Sequence, residues 1–324
     1  MKRKIIIAGG TGFIGKELAR MFAAIDDVVV LTRGIENVQT NSYDGEYRVL
    51  QNNIRYVLWD AATQGEWTKE LDGADILINL CGKTVNCRYT EKNKKEIFIS
   101  RTHTTTVLGE AIRNSVAPPK LWINASSATI YRHAEDRPQD EFTGEIENDF
   151  SVQVCKAWEK TFFDIRTPFT RKVVLRMAVT LGRGGVIVPY FNLLKFGLGG
   201  RQGSGKQMYS WVHIKDSFNI INWIADHTEM EGIYNCCSPN PVRNAIFMKT
   251  LRHITGHKVG LPAYEWMLKA GAVIIGTETE LILKSRWVLP TRLLQSGYLF
   301  EFNTIDEAFR EIVDHTPRKA YHLF

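Results

Sequence analysis

The first half of the chain alternates short runs of β-branched and other apolar residues with longer segments of helical periodicity. The apolar runs are nearly continuous, which is typical of strands buried on both faces of a sheet. The predicted strands are 4–8, 28–31, 54–58, 75–80, 121–124 and 173–176, and the predicted helices are 16–22, 91–114 and 152–165. This alternation predicts an α/β fold, in which a doubly wound parallel sheet carries helices on both faces.

A glycine-rich turn separates the first predicted strand from the first predicted helix. Its glycines have GxxGxxG spacing. In this strand–turn–helix context, the first glycine permits a tight turn, the second lets the backbone approach a pyrophosphate, and the third lets the helix pack on the strand. Amide groups at the helix N-terminus then bind the phosphates. The predicted contacts of a Rossmann-type dinucleotide site are Gly9, Thr11, Gly12, Phe13, Ile14 and Gly15.

The end of the second strand selects between two nicotinamide cofactors. A site for NAD usually carries an acidic residue about 20 residues beyond the glycines, where it binds the ribose hydroxyls. This chain has Arg33 there, and a guanidinium suits the 2′-phosphate of NADP. We therefore predict NADP, the alternative being that Arg33 lies on a solvated loop. Because ligands bind at the carboxyl ends of parallel strands, further predicted cofactor contacts are Asp60, Leu80, Cys81, Gly82 and Arg176.

The pattern changes beyond about residue 182 to glycine-rich loops, short strands and a helical tail. Chains longer than about 250 residues usually divide into two domains, and this chain has 324 residues. We therefore predict an NAD(P)-binding Rossmann domain over residues 1–182. A smaller C-terminal α/β substrate-binding domain is predicted over residues 183–324.

Composition and charge exclude several other classes of protein. The net charge of +6 comes from scattered basic residues rather than a stripe that would bind nucleic acid. The five cysteines have neither zinc-ligand spacing nor an even count, so we expect reduced thiols, no metal and a cytoplasmic location. The apolar runs are too short for a signal peptide or a membrane span.

The loop 200–207 nearly matches a P-loop, but it ends in Gln207 and precedes a strand-like segment, so we exclude that motif.

Several consecutive motifs resemble the extended short-chain dehydrogenase/reductase superfamily and, within it, the YfcH-like family of NAD(P)-dependent sugar-nucleotide epimerases. The resemblance covers nearly the whole chain. It is carried by GGTGFIG (9–15), LTR (31–33), the segment 78–101, SSATIY (126–131), CKAWE (155–159), LGRGG (181–185), and the segments 197–216, 235–247 and 289–300. It implies an active site in the cleft between the two domains. It also implies that about 206–238 returns to the Rossmann domain.

The resemblance shows which catalytic residues this chain lacks. Such enzymes have a Ser or Thr after the fifth strand and a Tyr-x-x-x-Lys pair on the next helix, whose tyrosine is the general acid/base. Ser127 matches the serine position. Alignment on Glu159 places Ser151 and Cys155 where the tyrosine and the lysine are expected. We predict Ser127 and Tyr131 as the catalytic residues, because Tyr131 shares a loop with Ser127 and carries a phenol.

Four other residues are weaker substitutes. Lys156 is adjacent to the expected lysine position, but one helical step turns it by about 100°. Cys155 would need a lowered pKa to act as a nucleophile, whereas a buried structural thiol is the more common case. His213 and Lys83 are the other two residues that could take over the catalytic role.

The leading interpretation is an NADP-dependent oxidoreductase or sugar-nucleotide epimerase-like enzyme with a small, anionic or sugar-nucleotide substrate. We expect Arg88, Arg201 and Lys206 to meet an anionic group, and a homodimer is one expected assembly. The alternative is a catalytically degenerate NADP-binding sensor or partner-binding protein, because the Tyr-x-x-x-Lys pair is missing. A nucleic-acid-associated regulator has only the positive net charge to support it.

Overall fold

The computed structural model describes residues 2–34, 54–276 and 278–323. The strands in these residues are β1 (Lys4–Ala8), β2 (Asp27–Thr32), β3 (Ile54–Leu58), β4 (Ile76–Asn79), β5 (Leu121–Ser127), β6 (Arg171–Met177), β7 (Val179–Leu181), β8 (Met208–Tyr209), β9 (Trp211–His213), β10 (Gly232–Cys236) and β11 (Val242–Arg243). The α-helices of the same part are α1 (Phe13–Ala23), α2 (Glu91–Asn114), α3 (Phe150–Asp164), α4 (Ile187–Lys195), α5 (Ile214–Asp226), α6 (Asn244–Ile254), α7 (Glu265–Ile275), α8 (Glu280–Leu283), α9 (Thr291–Gln295) and α10 (Ile305–Asp314). All the strands and helices predicted for the first half of the chain are present.

Some element ends differ from the prediction because strand pairing or capping extends the element. Helix α1 begins at Phe13, directly after Gly12, whose extended backbone makes it the N-cap. Strands β5 and β6 pair along their whole length, up to Ser127 and Met177. Ser127 and Arg176 therefore lie within strands rather than in the loops that follow them.

Seven of the described strands form one parallel sheet in the order β10-β6-β5-β4-β1-β2-β3. The chain passes from β1 to β2 on one side, and later places β4 on the other side of β1. This reversal opens a crevice at the carboxyl ends of β1 and β4, where ligands of such sheets bind. The predicted doubly wound parallel sheet is confirmed.

Side chains of β1 alternate between the two faces of the sheet. Ile5 and Ile7 pack with Phe22 of α1 in the core on one face. Ile6 packs with Phe162 of α3 in the core on the other face. Helices thus cover both faces, which explains why the strands are nearly continuous apolar runs rather than alternating ones.

A further apolar cluster lies beyond the sheet. It includes Leu181, Trp211, Phe247 and Phe309, which come from β7, β9, α6 and α10. Strand β10 and helix α5 follow residue 182 in sequence, yet β10 joins the sheet and α5 packs on it. The division into two domains at residue 182 stays a prediction.

None of the helices in the described ranges is both long and apolar enough to cross a membrane.

Candidate dinucleotide site and adjoining cleft

The turn between β1 and α1 packs directly against the residues that follow β4. Gly9 has a φ of +82°, in the left-handed region that favours glycine. A Cβ atom on Gly9 would lie 2.8 Å from the carbonyl carbon of Leu80, and one on Gly15 would lie 2.6 Å from the Cα of Gly10. The backbone at Leu80 and Cys81 is therefore held beside the glycine turn.

Gly12 differs from these glycines because the space beside it is open. Its φ of −75° suits any residue. Of the described atoms, the nearest to an added Cβ would be the Gly9 carbonyl oxygen, at 3.7 Å. As in any α-helix, the first N–H groups, here those of Phe13, Ile14 and Gly15, have no intrahelical acceptor. Gly12 has no side chain that could accept from them in its place. These groups form the positive end of the helix dipole and fit a pyrophosphate lying in the open space.

A second glycine-rich loop, which follows β7, closes over the start of α1. A Cβ atom on Gly182, Gly184 or Gly185 would lie between 2.6 and 2.9 Å from the ring of Phe13. Phe13 is therefore fixed between the two loops, whereas Thr11 at the tip of the turn is exposed. The motif LGRGG was the sequence signal for this contact, but sequence reasoning did not connect it with the glycine turn.

Arg33 lies at the exposed end of β2, at the same edge of the sheet as the glycine turn. Burial raises the pKa of the Cys81 thiol to about 12, and the positive charge of Arg33 opposes this shift. Arg33 is thus close enough to the end of β4 for an electrostatic interaction. Because Cys81 is a neutral thiol near pH 7, it adds no negative charge that would repel a phosphate from Arg33.

Asp60 holds the turn that follows β3. Its carboxylate accepts hydrogen bonds from the N–H groups of Ala62 and Thr63, both at 2.8 Å, and from the Thr63 hydroxyl at 2.6 Å. The Thr63 hydroxyl, followed by these N–H groups, lowers the pKa of Asp60 to about 2. Much of its accepting capacity is therefore used within the turn, and its contact with the cofactor stays a prediction.

Tyr131 and Arg176 lie in a buried network between the sheet and α3. Arg176 donates two hydrogen bonds to the Glu159 carboxylate, at 2.9 and 2.8 Å, and Ser126 donates a third at 2.7 Å. The Tyr131 hydroxyl accepts from Arg176 Nη1 at 2.8 Å and donates to Asn235 Oδ1 at 3.0 Å. The buried ion pair of Arg176 and Glu159 thus has further hydrogen-bond partners in Ser126 and Tyr131.

The network gives both residues a structural role. Tyr131 is 2% exposed, and burial raises its pKa to about 12, although Arg176 acts in the opposite direction. Arg176 points to the α3 side because it lies inside β6, paired with its neighbours, rather than after the strand. The predicted cofactor contact of Arg176 and the predicted catalytic role of Tyr131 therefore receive no support from their positions.

Ser127 lies half-buried at the carboxyl end of β5, where its Oγ accepts from the Thr129 N–H at 3.2 Å. Cys155 lies against the Ser127 backbone, and burial raises the pKa of its thiol to about 11. Cys155 is therefore neutral near pH 7 and is not activated as a nucleophile. Lys156 is exposed on α3, which agrees with the rotation expected from its position one residue later.

The chain between β4 and α2, with α2 itself, brings a tyrosine and an arginine to α3. The Tyr89 hydroxyl lies 3.4 Å from Ser151 Oγ, and Ser151 donates to Glu280 Oε2 at 3.2 Å. Arg101 of α2 stacks over the Trp158 ring of α3, with 5.2 Å between its Cζ and the ring centroid. Sequence reasoning did not single out either residue, because only the packing of α2 on α3 places them here.

The remaining basic candidates have local partners or face solvent. Arg88 pairs with Glu278 at 3.3 Å, and Arg201 stacks over the Tyr264 ring at 5.7 Å. Lys206 is exposed. Their contact with an anionic group stays a prediction.

His213 and Lys83 also have structural partners. His213 is the N-cap of α5: its Nδ1 accepts from the Lys215 N–H at 3.3 Å, and its Nε2 lies 3.2 Å from the Glu311 carboxylate. Lys83 donates to Asn93 Oδ1 at 2.8 Å.

In the part of the chain that the structure describes, no group of three or more histidine, cysteine or acidic residues is arranged to hold a metal ion.

The fold and the glycine site define a dinucleotide-binding protein of the Rossmann class, and comparisons with known proteins identify its family. Residues 5–155 match the NAD dependent epimerase/dehydratase family, and residues 265–312 match a domain of unknown function, DUF1731. The epimerase family protein YfhF of Bacillus subtilis (strain 168) is 31% identical over 95% of this chain and 97% of its own length. The human epimerase family protein SDR39U1 is 30% identical over 96% of this chain and 99% of its own length. The chain belongs to the NAD dependent epimerase/dehydratase family, which confirms the resemblance to extended short-chain dehydrogenases.

Solved structures agree with this assignment. A crystal structure of human SDR39U1 (isoform 2) with NADPH superposes with a TM-score of 0.81 at 28% identity, covering 96% of this chain and 99% of that chain. A UDP-N-acetylglucosamine 4-epimerase from Methanobrevibacter ruminantium M1, in complex with UDP-N-acetylmuramic acid, has a TM-score of 0.72 at 14% identity, covering 97% and 98% of the two chains. The second likeness shows the shared fold.

We expect Gly12→Val to fold and to lose dinucleotide binding, because the added side chain occupies open space rather than protein. The measurement is a thermal-shift titration with NADPH. Gly65→Val is the matched control, since Gly65 is also an extended N-cap glycine and its added Cβ would lie 3.5 Å from Trp67. A cofactor-induced rise in Tm as large as that of the wild type would contradict the placement of the phosphates at Gly12.

We expect Tyr131→Phe to lower the free energy of unfolding by about 1–3 kcal/mol, because buried groups of Arg176 and Asn235 lose a partner. Urea unfolding measures this change, and Tyr264→Phe is the control because Tyr264 is 50% exposed. Calorimetry should give the same Kd for NADPH in Tyr131→Phe and the wild type. A stable variant with impaired turnover would instead return Tyr131 to the catalytic machinery.

Proposed function

We propose that the chain binds NADPH across the carboxyl ends of β1 and β4 and catalyses hydride transfer with a small, anionic or sugar-nucleotide substrate. The observation that carries this proposal is the open space at Gly12, next to the uncapped N-terminus of α1. A glycine that the protein's own packing does not require is explained by a ligand that approaches the backbone there.

The choice of NADPH rests on Arg33. Its guanidinium lies at the exposed end of β2 and interacts electrostatically with Cys81 at the end of β4. A permanently charged group at this edge suits a 2′-phosphate, whereas an acidic residue would repel it. The human family member crystallised with NADPH supports the same choice.

The protein's residues would position the reactants and handle the proton. When bound, the dihydronicotinamide supplies the hydride. The turn at Gly12 and the first N–H groups of α1 would hold the pyrophosphate, and Leu80, Cys81 and Gly82, which follow β4 beside the glycine turn, would contact the rest of the dinucleotide. Ser127, at the end of β5, would donate a hydrogen bond to the substrate oxygen and so orient the reacting carbon.

Positive charge beside Ser127 supports an anionic substrate. Arg286 is 8% exposed, and its Nε donates to Thr129 Oγ1 at 2.9 Å, two residues beyond Ser127. Lys284, also buried, pairs with Asp149 at 2.6 Å, so its charge is locally compensated. Family membership makes the diphosphate of a sugar nucleotide the first chemistry to test at Arg286.

The homodimer and the cytoplasmic location remain parts of this proposal. Exposed apolar side chains on the outer faces of α2 and α3 support self-association: Phe98 is 38%, Ile99 44% and Phe163 40% exposed. Such residues are enriched at interfaces between protein copies. Light scattering of the wild type measures its mass in solution. The mass of two copies would support the homodimer, and the mass of a single copy would contradict it.

A non-catalytic NADPH-binding sensor is the second candidate function. It is favoured by Ser151 and Cys155 at the positions of the expected tyrosine and lysine, and by the buried Tyr131 hydroxyl. Tight binding of NADPH without turnover of any carbonyl or sugar-nucleotide compound would favour this candidate over the enzyme.

We expect Arg33→Ala to weaken NADPH binding about tenfold or more, because a charge-assisted hydrogen bond contributes about 1.5–3 kcal/mol. The affinity for NADH should change little. Calorimetric titrations with both cofactors measure this, and Arg113→Ala, an exposed arginine at the end of α2, is the control. Equal affinities of the wild type for NADPH and NADH would refute the selectivity.

We expect Ser127→Ala to lower turnover by about 100-fold on any active substrate, because misplacing the reacting oxygen has effects of this size. The assay follows NADPH absorbance with a panel of aldehydes, ketones and sugar nucleotides. The Kd of NADPH should not change. A Ser127→Ala variant as fast as the wild type would remove Ser127 from the mechanism.

A further inference from the structure

The loop that follows α4 pairs with the segment that leads into α7. The Leu261 N–H donates to the Gly197 carbonyl oxygen at 2.8 Å, and the Leu261 carbonyl oxygen accepts from the Gly200 N–H at 3.1 Å. Two residues further along, the Ala263 N–H donates to the Arg201 carbonyl oxygen at 2.9 Å. The two segments therefore lie side by side, and their exposed side chains belong to one surface.

Helix α6 lies against the same loop. Ala245 and Arg252 are seven residues apart and so share one face of the helix. A Cβ atom added to Gly205 would lie 3.1 Å from the Ala245 Cβ, and Arg252 Nη1 donates to the Gly199 carbonyl oxygen at 2.9 Å. Lys249 lies between Ala245 and Arg252 on this face and is exposed. The surface thus extends from the segment before α7, across the loop, to α6.

Residues 195–206 and 244–269, which we call the basic region, carry the whole net charge of the chain. They contain seven lysines and arginines but one acidic residue, Glu265, which pairs with Lys269 at 2.8 Å. The chain has 41 basic and 35 acidic residues, so the residues outside the region have equal numbers of each. The basic residues of the region are Lys195, Arg201, Lys206, Lys249, Arg252, Lys258 and Lys269. The fold thus brings together charges that are scattered along the sequence.

Large apolar side chains are exposed within the basic region. Trp266 is 70%, Phe196 67%, Val259 63% and Leu261 57% exposed. Phe196 precedes Gly197, which is hydrogen-bonded to Leu261, so these two side chains extend from neighbouring backbone. Apolar residues that are exposed together mark a site of interaction, because water is an unfavourable neighbour for each of them.

We propose that the basic region docks this protein on the surface of a membrane that contains anionic lipids. Lysines and arginines near such a surface are attracted to the negative headgroups. Indole rings are favoured at the level of the headgroups, and apolar side chains enter the boundary with the acyl chains. The protein would lie on the membrane without spanning it. This docking does not depend on the proposed hydride transfer.

The combination of charge and aliphatic side chains favours a lipid surface over other occupants. A second copy of the chain would bring two regions of the same charge together, which is unfavourable. A nucleic acid would neutralise the charge and could stack its bases on Trp266 or Phe196. It offers no apolar phase for Val259 and Leu261, whereas the edge of the acyl chains does.

The experiment measures co-sedimentation of the full chain with lipid vesicles. One set of vesicles is an equimolar mixture of phosphatidylcholine and phosphatidylglycerol, and the other is phosphatidylcholine alone. We expect binding to the first set and little binding to the second, because only the first set has a negative surface. Added salt should weaken the binding by screening the charges. Equal binding to both sets, or binding to neither, would overturn the proposal.

The charge is tested with the double variant Lys249→Glu/Lys258→Glu. We expect its partition onto the anionic vesicles to fall about tenfold or more, because two attractive charges become repulsive. Arg113→Glu/Arg166→Glu is the matched control, since it changes the net charge by the same amount at exposed positions outside the basic region. A fall of the same size in both double variants would show that only the net charge matters, and would overturn the assignment to this region.

The apolar contact is tested at Trp266. We expect Trp266→Ala to lower the partition about tenfold, whereas Phe169→Ala, at a residue 82% exposed outside the region, should leave it unchanged. Vesicles with brominated acyl chains should quench the tryptophan fluorescence of the wild type more than that of Trp266→Phe. Equal quenching in the two proteins would contradict insertion of Trp266 and overturn the proposal.

Two further measurements test the other occupants with the same variants. Fluorescence anisotropy with labelled duplex DNA would assign the region to nucleic acid if DNA, rather than the anionic vesicles, bound in a manner that required Lys249 and Lys258. Light scattering would assign it to self-association if the wild type were a dimer and Trp266→Ala a monomer. Either result would overturn the proposal. All of the substituted residues are exposed, so each variant should keep the Tm of the wild type.

Discussion

The backbone contact between the turn after β1 and the end of β4 sets the geometry of the whole site. Gly9 and Gly15 have no room for a side chain, because Leu80 on one side and Gly10 on the other lie against them. This contact fixes the N-terminus of α1 at the point where the sheet reverses its winding. The open space at Gly12, the exposed Arg33 and the loop that packs on Phe13 are all arranged around that one helix end. A dinucleotide would therefore meet groups that are already in position before it binds.

Buried electrostatics fix the other half of the cleft. The Glu159–Arg176 pair joins α3 to β6, and Ser126 and Tyr131 satisfy its remaining hydrogen bonds. Breaking such a pair on one side leaves an uncompensated buried charge, so the network constrains where α3 lies on the sheet. Cys155, one turn before Glu159 on α3, is thereby held against the backbone of Ser127 at the end of β5. The proposed hydride transfer would depend on this fixed position, since small displacements of reacting groups have large effects on rate.

The packing of α2 on α3 determines what lies beside the positions of the missing catalytic pair. Within α3 alone, the substitution of serine and cysteine indicates a lost function. Across the two helices, Tyr89 contacts Ser151 and Arg101 stacks over Trp158, so the segment that runs from the end of β4 into α2 packs along α3. The contrast with Arg176 is informative: its charge is neutralised by Glu159, so it supports the fold, whereas Arg101 has only carbonyl and aromatic partners among the described residues.

The sequence by itself determined the order of strands and helices and the position of the glycine turn. These depend on local patterns: the apolar runs follow from burial on both faces, and the glycine spacing follows from the geometry of one turn. It did not determine the direction of individual side chains. Arg176 was the last residue of a predicted strand, but it lies inside β6 and pairs with Glu159 of α3. Tyr131 was predicted in the loop with Ser127, but its hydroxyl is bound by Arg176 and Asn235. Tyr89 and Arg101 lie in the segment 78–101, which carried the family resemblance but gave no indication of what these two side chains contact. Only tertiary structure decided their place, because proximity across α2 and α3 depends on helix packing between segments that are far apart in the chain.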